Sequence, residues 1–493
     1  MTPSLFDPSL SSYGRAASRG AVVSGTAQGL RILCQIASVV VLSRLLSPAD
    51  FGIVAMSWPV VGLLLVLQDF GLAQAAVQRP HLSERDVNFL FWCSVGIGLL
   101  VAALILVLAP LAAWFYGEPQ VGPLVMAMSA LVVVQALGAQ HTALLNRMMR
   151  FGALAAMDVA AALANLAVAV ALAVATGSYW ALFWGSFAGT LTPTLLAWSL
   201  MRWTPGRPAG TEDQAGLVRF GAGMTGFTLA NFFARNSDNI LIGRYLGDEP
   251  LGLYDRAYKL LLLPIQLITN PLGRSMVPTL SRLTDQPDRY RAAFLDALSV
   301  VLAVTLPGIA ALIVVADDLV PFLLGARWQE SAVIFQLLGF ASLLQPLNNP
   351  SGWLFISQGR SADFARWGIF SAAVVVSAIA LGLGHGIRGV AFAYAVSEYI
   401  RTPLLWLFVG RKGAVGARDV IGTAGPWLLG AHLAVLILWL GGAPATGSVL
   451  LDVVVAALLA YGIVGMVVAP FPVGRRTLRS LQRLRSQRGV VSR

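Results

Sequence analysis

Apolar runs of about twenty residues, long enough to cross a hydrocarbon core of roughly 30 Å, recur from one end of the chain to the other. Short polar connections rich in Arg, Gly and Pro separate them. The pattern predicts helices at 21–43, 52–77, 89–115, 121–145, 153–176, 178–201, 218–243, 252–280, 294–316, 331–356, 364–384, 388–410, 420–440 and 447–470, about fourteen spans in all. The longest internal connection runs from Arg202 to Gly216 and opens Arg202-Trp-Thr-Pro-Gly-Arg-Pro, a linker composition. No connection has room for a soluble catalytic domain, so no catalytic residues are expected and the chain is not expected to be an enzyme. The expected fold class is all-α: a polytopic membrane protein.

Composition agrees with the pattern. Of 493 residues, 57% are hydrophobic and 12% charged, against about 45–50% and 25% in soluble domains; the mean hydropathy is +0.74. The segment Met1–Gly20 has polar and acidic character and no small-residue cleavage site after an apolar core, so no signal peptide is expected. Cys34 and Cys93 both fall in apolar runs, too few for a disulfide framework and without metal-ligand spacing. His81, His141, His385 and His432 never cluster. No metal and no cofactor are expected.

The net charge of +11 is topological. On one side fall Arg15, Arg19, Arg79, Arg85, Arg147, Arg150, Arg202, Arg207, Arg219, Arg282, Arg289, Arg291, Arg360, Arg366, Arg411, Lys412, Arg418 and seven arginines from Arg475 to Arg493, 24 of the 34 basic residues. The other side holds Arg44, Arg244, Arg327 and Arg388. The bias follows the positive-inside rule only for an even number of spans with both termini cytoplasmic. The expected location is the bacterial inner membrane. The basic tail suits anionic headgroups, and no nucleic-acid partner is expected.

The chain also repeats itself. Leu42-Ser-Arg-Leu-Leu-Ser-Pro-Ala-Asp-Phe-Gly-Ile53 precedes Ile242-Gly-Arg-Tyr-Leu-Gly-Asp-Glu-Pro-Leu-Gly-Leu253 by 200 residues, pairing Arg44 with Arg244, Leu46 with Leu246 and Gly52 with Gly252. At a spacing of 210, Gln135 pairs with Gln345, Leu137 with Leu347, Leu144 with Leu354, Arg150 with Arg360, and Thr192-Pro193 with Thr402-Pro403. The expected organisation is a six-helix lobe at 1–205, a cytoplasmic linker at 206–216, a second six-helix lobe at 217–410, two additional helices at 411–470 and a basic cytoplasmic tail at 471–493. Each copy holds an even number of helices, so the repeats insert in parallel, an arrangement in which transporters bind substrate near the midplane between halves.

Polar residues form stripes inside the apolar runs. The first helix carries Ser24, Gln28, Arg31, Gln35 and Ser38 on one face; the seventh carries Met224, Thr228, Asn231, Arg235 and Asp238. Helix eight adds Arg256, Lys259, Gln266, Asn270 and Arg274; helix twelve adds Tyr394, Glu398 and Arg401; helix two adds Asp69. Ionisable groups at such depths cost about 2.5 kcal/mol or more, so they belong in a bundle interior or a wet cavity. Six basic groups against the acids Asp69, Asp238, Asp255 and Glu398 leave a cationic excess suited to phosphate oxygens. Candidate substrate-binding residues are Arg31, Gln35, Arg235, Lys259, Arg274 and Arg401; candidate ion-coupling residues are Asp69, Asp238 and Glu398. A structural reading competes: Arg235 with Asp238, and Glu398 with Arg401, are three apart and can simply pair. Arg256, Lys259 and Arg274 lie near helix ends and can snorkel. Pro264, Pro271, Pro346 and Pro350 fall within predicted helices and predict kinks.

The stretches from Gly20 to Met56, from Asp69-Phe-Gly-Leu-Ala-Gln to Arg79, and from Leu241 to Pro264 resemble bacterial polysaccharide transporters of the colanic-acid-exporter (Wzx-like) type. The resemblance covers roughly residues 18–410. It implies the multidrug/oligosaccharidyl-lipid/polysaccharide exporter superfamily, with two six-helix lobes forming a V and often two extra C-terminal helices. It implies as partner and substrate an undecaprenyl-pyrophosphate-linked oligosaccharide, flipped from the cytoplasmic to the periplasmic leaflet, and a setting of polysaccharide polymerase and glycosyltransferases. Site residues transfer only as charged groups lining a cavity. The alternatives are a drug exporter or cell-wall lipid precursor flippase of the same superfamily, and a membrane polymerase or glycosyltransferase, which would need a large extramembrane loop.

Overall fold

The computed structural model describes residues 13–68, 72, 76–77, 82–207, 232 and 236–475. All regular structure among them is helical: α1 (Tyr13–Leu45), α2 (Pro48–Gln68), α3 (Glu84–Tyr116), α4 (Val121–Arg147), α5 (Phe151–Thr176), α6 (Trp180–Met201), α7 (236–246), α8 (Asp248–Ser281), α9 (Pro287–Val314), α10 (Ala316–Leu324), α11 (Gln329–Ser342), α12 (Gln345–Asn348), α13 (Ser351–Ser357), α14 (Ser361–Gly382), α15 (Gly386–Val409), α16 (Ala417–Leu440) and α17 (Val449–Val468). Ten helical stretches among the described residues are long and apolar enough to cross a membrane. One of them, Ser361–Val409, contains two helices, α14 and α15, that fold back on each other. The protein is a multi-pass, all-α membrane protein. The span expected at 218–243 lies largely outside the described residues.

The chain divides into two compact units, Met1–Gly252 and Leu253–Arg493. In the first, α5 and α6 form a hairpin, α4 packs on α6, and α1 lies along α5. The repeated motif after α1 is a helix start. Ser47 precedes Pro48, which takes the first helical position where its missing N–H costs nothing. The Ser47 hydroxyl and amide both reach the Asp50 carboxylate (2.5 and 2.9 Å), and the Asp50 amide returns to the Ser47 hydroxyl. The other Asp50 oxygen accepts from the Tyr179 amide at 3.0 Å, tying α2 to the α5–α6 turn.

Gly52 and Gly252 explain the rest of the motif. A Cβ on Gly52 would lie 1.8 Å from the carbonyl oxygen of Asp248, the first residue of α8. A Cβ on Gly252 would lie 1.8 Å from the carbonyl oxygen of Pro48, the first residue of α2. Each copy of the repeat thus presses its glycine onto the helix start of the other, two hundred residues away in both directions.

The second set of matches, 210 apart, is also an atomic repetition. Met149 and Gly359 share the left-handed conformation, with φ of 55° and 65°. The amides of Arg150 and Arg360 close the same turn onto Leu145 and Phe355 carbonyls (3.0 and 2.8 Å). The guanidiniums then cap the last turns of α6 and α15 by donating to the Leu200 and Val409 carbonyls (3.0 and 3.1 Å). Arg150 and Arg360 recur because each satisfies orphan carbonyls at the end of a helix in its own unit.

In the second unit α16 and α17 are part of the core rather than appendages. Both pack on α9, where the Trp427 indole donates to Ser299 (3.2 Å) and the Tyr461 hydroxyl to the Val304 carbonyl (2.6 Å). The predicted prolines diverge in effect. Pro264 and Pro271 lie inside the single continuous helix α8, whereas Pro346 and Pro350 coincide with the breaks that divide the predicted helix at 331–356 into α11, α12 and α13.

Candidate functional site

A cavity of about 880 Å³ opens among α4, α5 and α6 of the first unit. On α4 the residues Gln135, Gly138, Ala139, Thr142 and Asn146 line it, a run at helical spacing that rises about 16 Å. Asp158 and Ala161 of α5 and Thr190, Pro193 and Thr194 of α6 add to the wall, together with the apolar Val77, Leu154 and Met157. Thr190 and Thr194 return their hydroxyls to carbonyls one turn back, Ser186 and Thr190, and Thr194 also reaches the Val134 carbonyl across to α4. Gln135 and Asn146 are exposed and Thr142 half-buried, and none of the three side chains has a partner among the described residues. Gly138 lets α4 approach α6 closely here, since a Cβ on it would lie 2.6 Å from the Thr194 hydroxyl.

Arg31 lies beside this cavity. Its guanidinium is 4.0 Å from the Asp158 carboxylate, with side chains 48% and 63% exposed. That is a loose pair with several hydrogen-bonding positions open on both partners. Gln35, one turn further along α1, is also exposed. Asp158 was not among the sequence candidates. The available signal was that it is the lone charged residue of Phe151–Thr176, an otherwise apolar helix, which makes it a functional candidate by position alone.

The repeat-related positions in the second unit carry polar side chains that are bonded into one cluster. Adding 210 to Gly138 and Ala161 gives Asn348 and Ser371. There the Arg401 guanidinium bonds both the Glu398 carboxylate and the Ser371 hydroxyl. The Asn348 amide donates to Thr402 (2.8 Å) and to Glu398 (3.3 Å). Arg401 and Glu398 are only 13% and 6% exposed. The broken helix places Asn348 at the end of α12, where it meets α15. So the structure brings two of the sequence candidates together, as a buried ion pair wrapped in neutral donors and acceptors.

The remaining candidates are dispersed. Lys259 pairs with Asp255 at 2.9 Å while staying half exposed; Asp255 itself is buried and also lies 3.7 Å from Arg256. Arg274 is exposed on α8 and has no partner among the described residues. Asp238 is buried, and one of its oxygens accepts from the Asn239 amide at 2.9 Å. Asp69 and Arg235 lie outside the described residues. The His141 ring is stacked on Trp198 at 4.2 Å and bonded to the Trp203 carbonyl at 3.1 Å, a packed position in an aromatic nest.

Comparison with known proteins agrees with this architecture. The chain is 27% identical over 406 residues to the lipopolysaccharide biosynthesis protein WzxC of Escherichia coli (strain K12), covering 81% of each. It is 26% identical over 440 residues to the succinoglycan biosynthesis transport protein ExoT of Rhizobium meliloti (strain 1021), covering 85% of this chain and 88% of the relative. Among solved structures, the lipid II flippase MurJ in an inward closed conformation matches with a TM-score of 0.73 at 15% identity, over 90% of this chain and 98% of that one. An inward-facing MATE family transporter of the MOP superfamily matches with a TM-score of 0.63 at 14% identity, over 79% and 97%. At those identities the likeness is one of fold. Residues 41–333 match the polysaccharide biosynthesis protein family, and with its doubled helical repeat the chain belongs to that family.

Proposed function

We propose that this protein is a flippase that moves an undecaprenyl-pyrophosphate-linked oligosaccharide from the cytoplasmic to the periplasmic leaflet of the inner membrane by alternating access. Glycosyltransferases would supply the lipid-linked unit, and a polymerase would consume it. The observation that carries the reading is Arg31: a half-exposed guanidinium on an apolar helix at the edge of a cavity, held among the described residues by a 4.0 Å contact to Asp158. A cation within a membrane-spanning helix calls for an anionic partner, and pyrophosphate oxygens accept the bidentate donor pair that a guanidinium presents. The relatives' names, a lipopolysaccharide biosynthesis protein and a succinoglycan transport protein, support a saccharide-bearing substrate.

Among the candidate cations, Arg31 and Arg274 are the open ones and carry the assignment, with Gln35, Lys259 and Arg235 in support. Arg401 is committed to Glu398, so its part is to hold the second unit together. Asp69 and Asp238 are then the carboxylates assigned to a coupling cation.

Export by cells whose own copy is deleted tests the assignment, with membrane abundance measured beside it. Arg31→Gln/Arg274→Gln should lower export about tenfold or more, because each lost charge-assisted hydrogen bond is worth about 1.5–3 kcal/mol. Arg31→Lys should recover part of it, since Lys lacks the fork. Undiminished export from the double variant at normal abundance would refute the pyrophosphate assignment. The orientation has its own test. Reporter fusions after Gly117 and after Asp318 should read periplasmic, and a cytoplasmic signal at either would overturn the assignment of both termini to the cytoplasm.

A further inference from the structure

The geometry points to a carbohydrate-binding subsite in the first-unit cavity, built from Gln135, Thr142, Asn146 and Asp158, that takes the sugar portion of the lipid-linked substrate; it rests on the flippase reading above. Four observations carry it. The space of about 880 Å³ sits in the upper part of the range of small-molecule sites, roughly 300–1,000 Å³. It is far larger than a single ion needs, given that one water occupies about 30 Å³.

The lining has the chemistry of a polyhydroxylated ligand. Gln135 and Asn146 each offer donors and an acceptor, Thr142 offers both from one oxygen, and Asp158 offers only acceptors. Sugar hydroxyls donate and accept at once, so they use all four. A phosphate accepts only, so it can use the Arg31 guanidinium but not the Asp158 carboxylate. A hydrocarbon tail or a drug ring would leave these amides unsatisfied in a low-dielectric site. A metal cation gains little from Asp158, whose charge Arg31 already offsets at 4.0 Å.

The repeat-related positions also differ in chemistry. Those of the second unit carry Asn348 and Ser371, which hydrogen-bond the Glu398–Arg401 pair. The first copy has Gly138 and Ala161 at those places. Finally, the subsite adjoins the proposed phosphate contact. In a lipid pyrophosphate the first sugar is bonded directly to the phosphate, so the two sites must be neighbours, and Arg31 and Asp158 are. When the pyrophosphate takes Arg31, the Asp158 carboxylate is released to accept sugar hydroxyls.

The test compares two probes on the purified full-length chain in lipid nanodiscs: undecaprenyl pyrophosphate alone, and the same lipid carrying a glucose-containing trisaccharide. The shape-conserving variants Thr142→Val and Asp158→Asn, together with Asn146→Leu, should each weaken the sugar-bearing lipid by about tenfold, the scale of one or two lost hydrogen bonds. Binding of the bare lipid should change less than twofold in Thr142→Val and Asn146→Leu. Arg31→Gln, in contrast, should weaken both probes alike. A second readout is independent of stability. In a chain carrying Cys34→Ala and Cys93→Ala, the thiol of Thr142→Cys should be shielded from a water-soluble thiol reagent by the sugar-bearing lipid and not by the bare one. Equal losses for both probes, or equal shielding by both, would overturn the subsite and leave the flippase reading intact. Failure of the unaltered protein to bind either probe would overturn the flippase reading, and the subsite with it.

Discussion

Arg401→Met alone should destabilise the second unit by roughly 3–5 kcal/mol, because it leaves the Glu398 carboxylate buried without its partner. For a unit of this size that corresponds to a fall of about 10 °C in the thermal midpoint of the purified protein in detergent. The double variant Glu398→Gln/Arg401→Met should recover most of the loss. Once the charge is gone, a Gln at 398 can still accept from the Asn348 amide, as the carboxylate does at 3.3 Å, and the Met fills the volume the guanidinium occupied. This non-additivity separates a structural pair from two working residues. Arg401 as a substrate contact, or Glu398 as the seat of a coupling ion, would instead leave export lost in the double variant after its stability had returned. Thermal unfolding and export measured on the same three variants decide between these outcomes.

Gly52→Ala and Gly252→Ala should each empty the membrane of most of the protein. A Cβ at either position would sit 1.8 Å from a backbone carbonyl oxygen, Asp248 in one case and Pro48 in the other. Overpacking between side chains costs about 1–3 kcal/mol because rotamers can yield. Here the obstacle is main chain at the start of a helix, and it can move only if the whole helix does. The expected result is a fall of tenfold or more in membrane abundance, beyond the ordinary side-chain range of roughly 1–3 kcal/mol. Gly96→Ala is the control: it lies within α3, a Cβ there meets nothing within 4 Å, and alanine favours helix by about 1 kcal/mol. Normal abundance of both crossing variants would mean that α2 and α8 do not approach as closely as the structure places them.

Much of the architecture was legible because a bilayer leaves few options. Every backbone group in hydrocarbon must be satisfied locally, so most apolar runs became helices, several with boundaries within a few residues of those expected: 121–145 became Val121–Arg147, and 153–176 became Phe151–Thr176, whereas 331–356 broke at its prolines. The repeat was legible because both copies solve the same local problems with the same residues, as the arginine caps at 150 and 360 show. The polar groups were harder. Periodicity placed Arg31, Gln35, Glu398 and Arg401 on helix faces, but a face does not say whether it meets a partner or a cavity. Arg401 met Glu398, and Arg31 met Asp158 on a different helix, 127 positions along the chain.

The sequence by itself therefore determined the class of solvent, the helices, the duplication and the family. These depend on apolar run length and on motifs read along one dimension. Only the tertiary structure decided that Gly52 and Gly252 are mutual contact points, that the last two helices belong to the second unit's core, and that Glu398 and Arg401 bury each other while Arg31 and Asp158 stay half exposed beside a cavity. Each of those depends on which side chains distant in sequence compete for the same volume. Asn348 and Ser371 close round the Glu398–Arg401 pair, whereas the repeat-related Gly138 and Ala161 have no polar side chain to offer one.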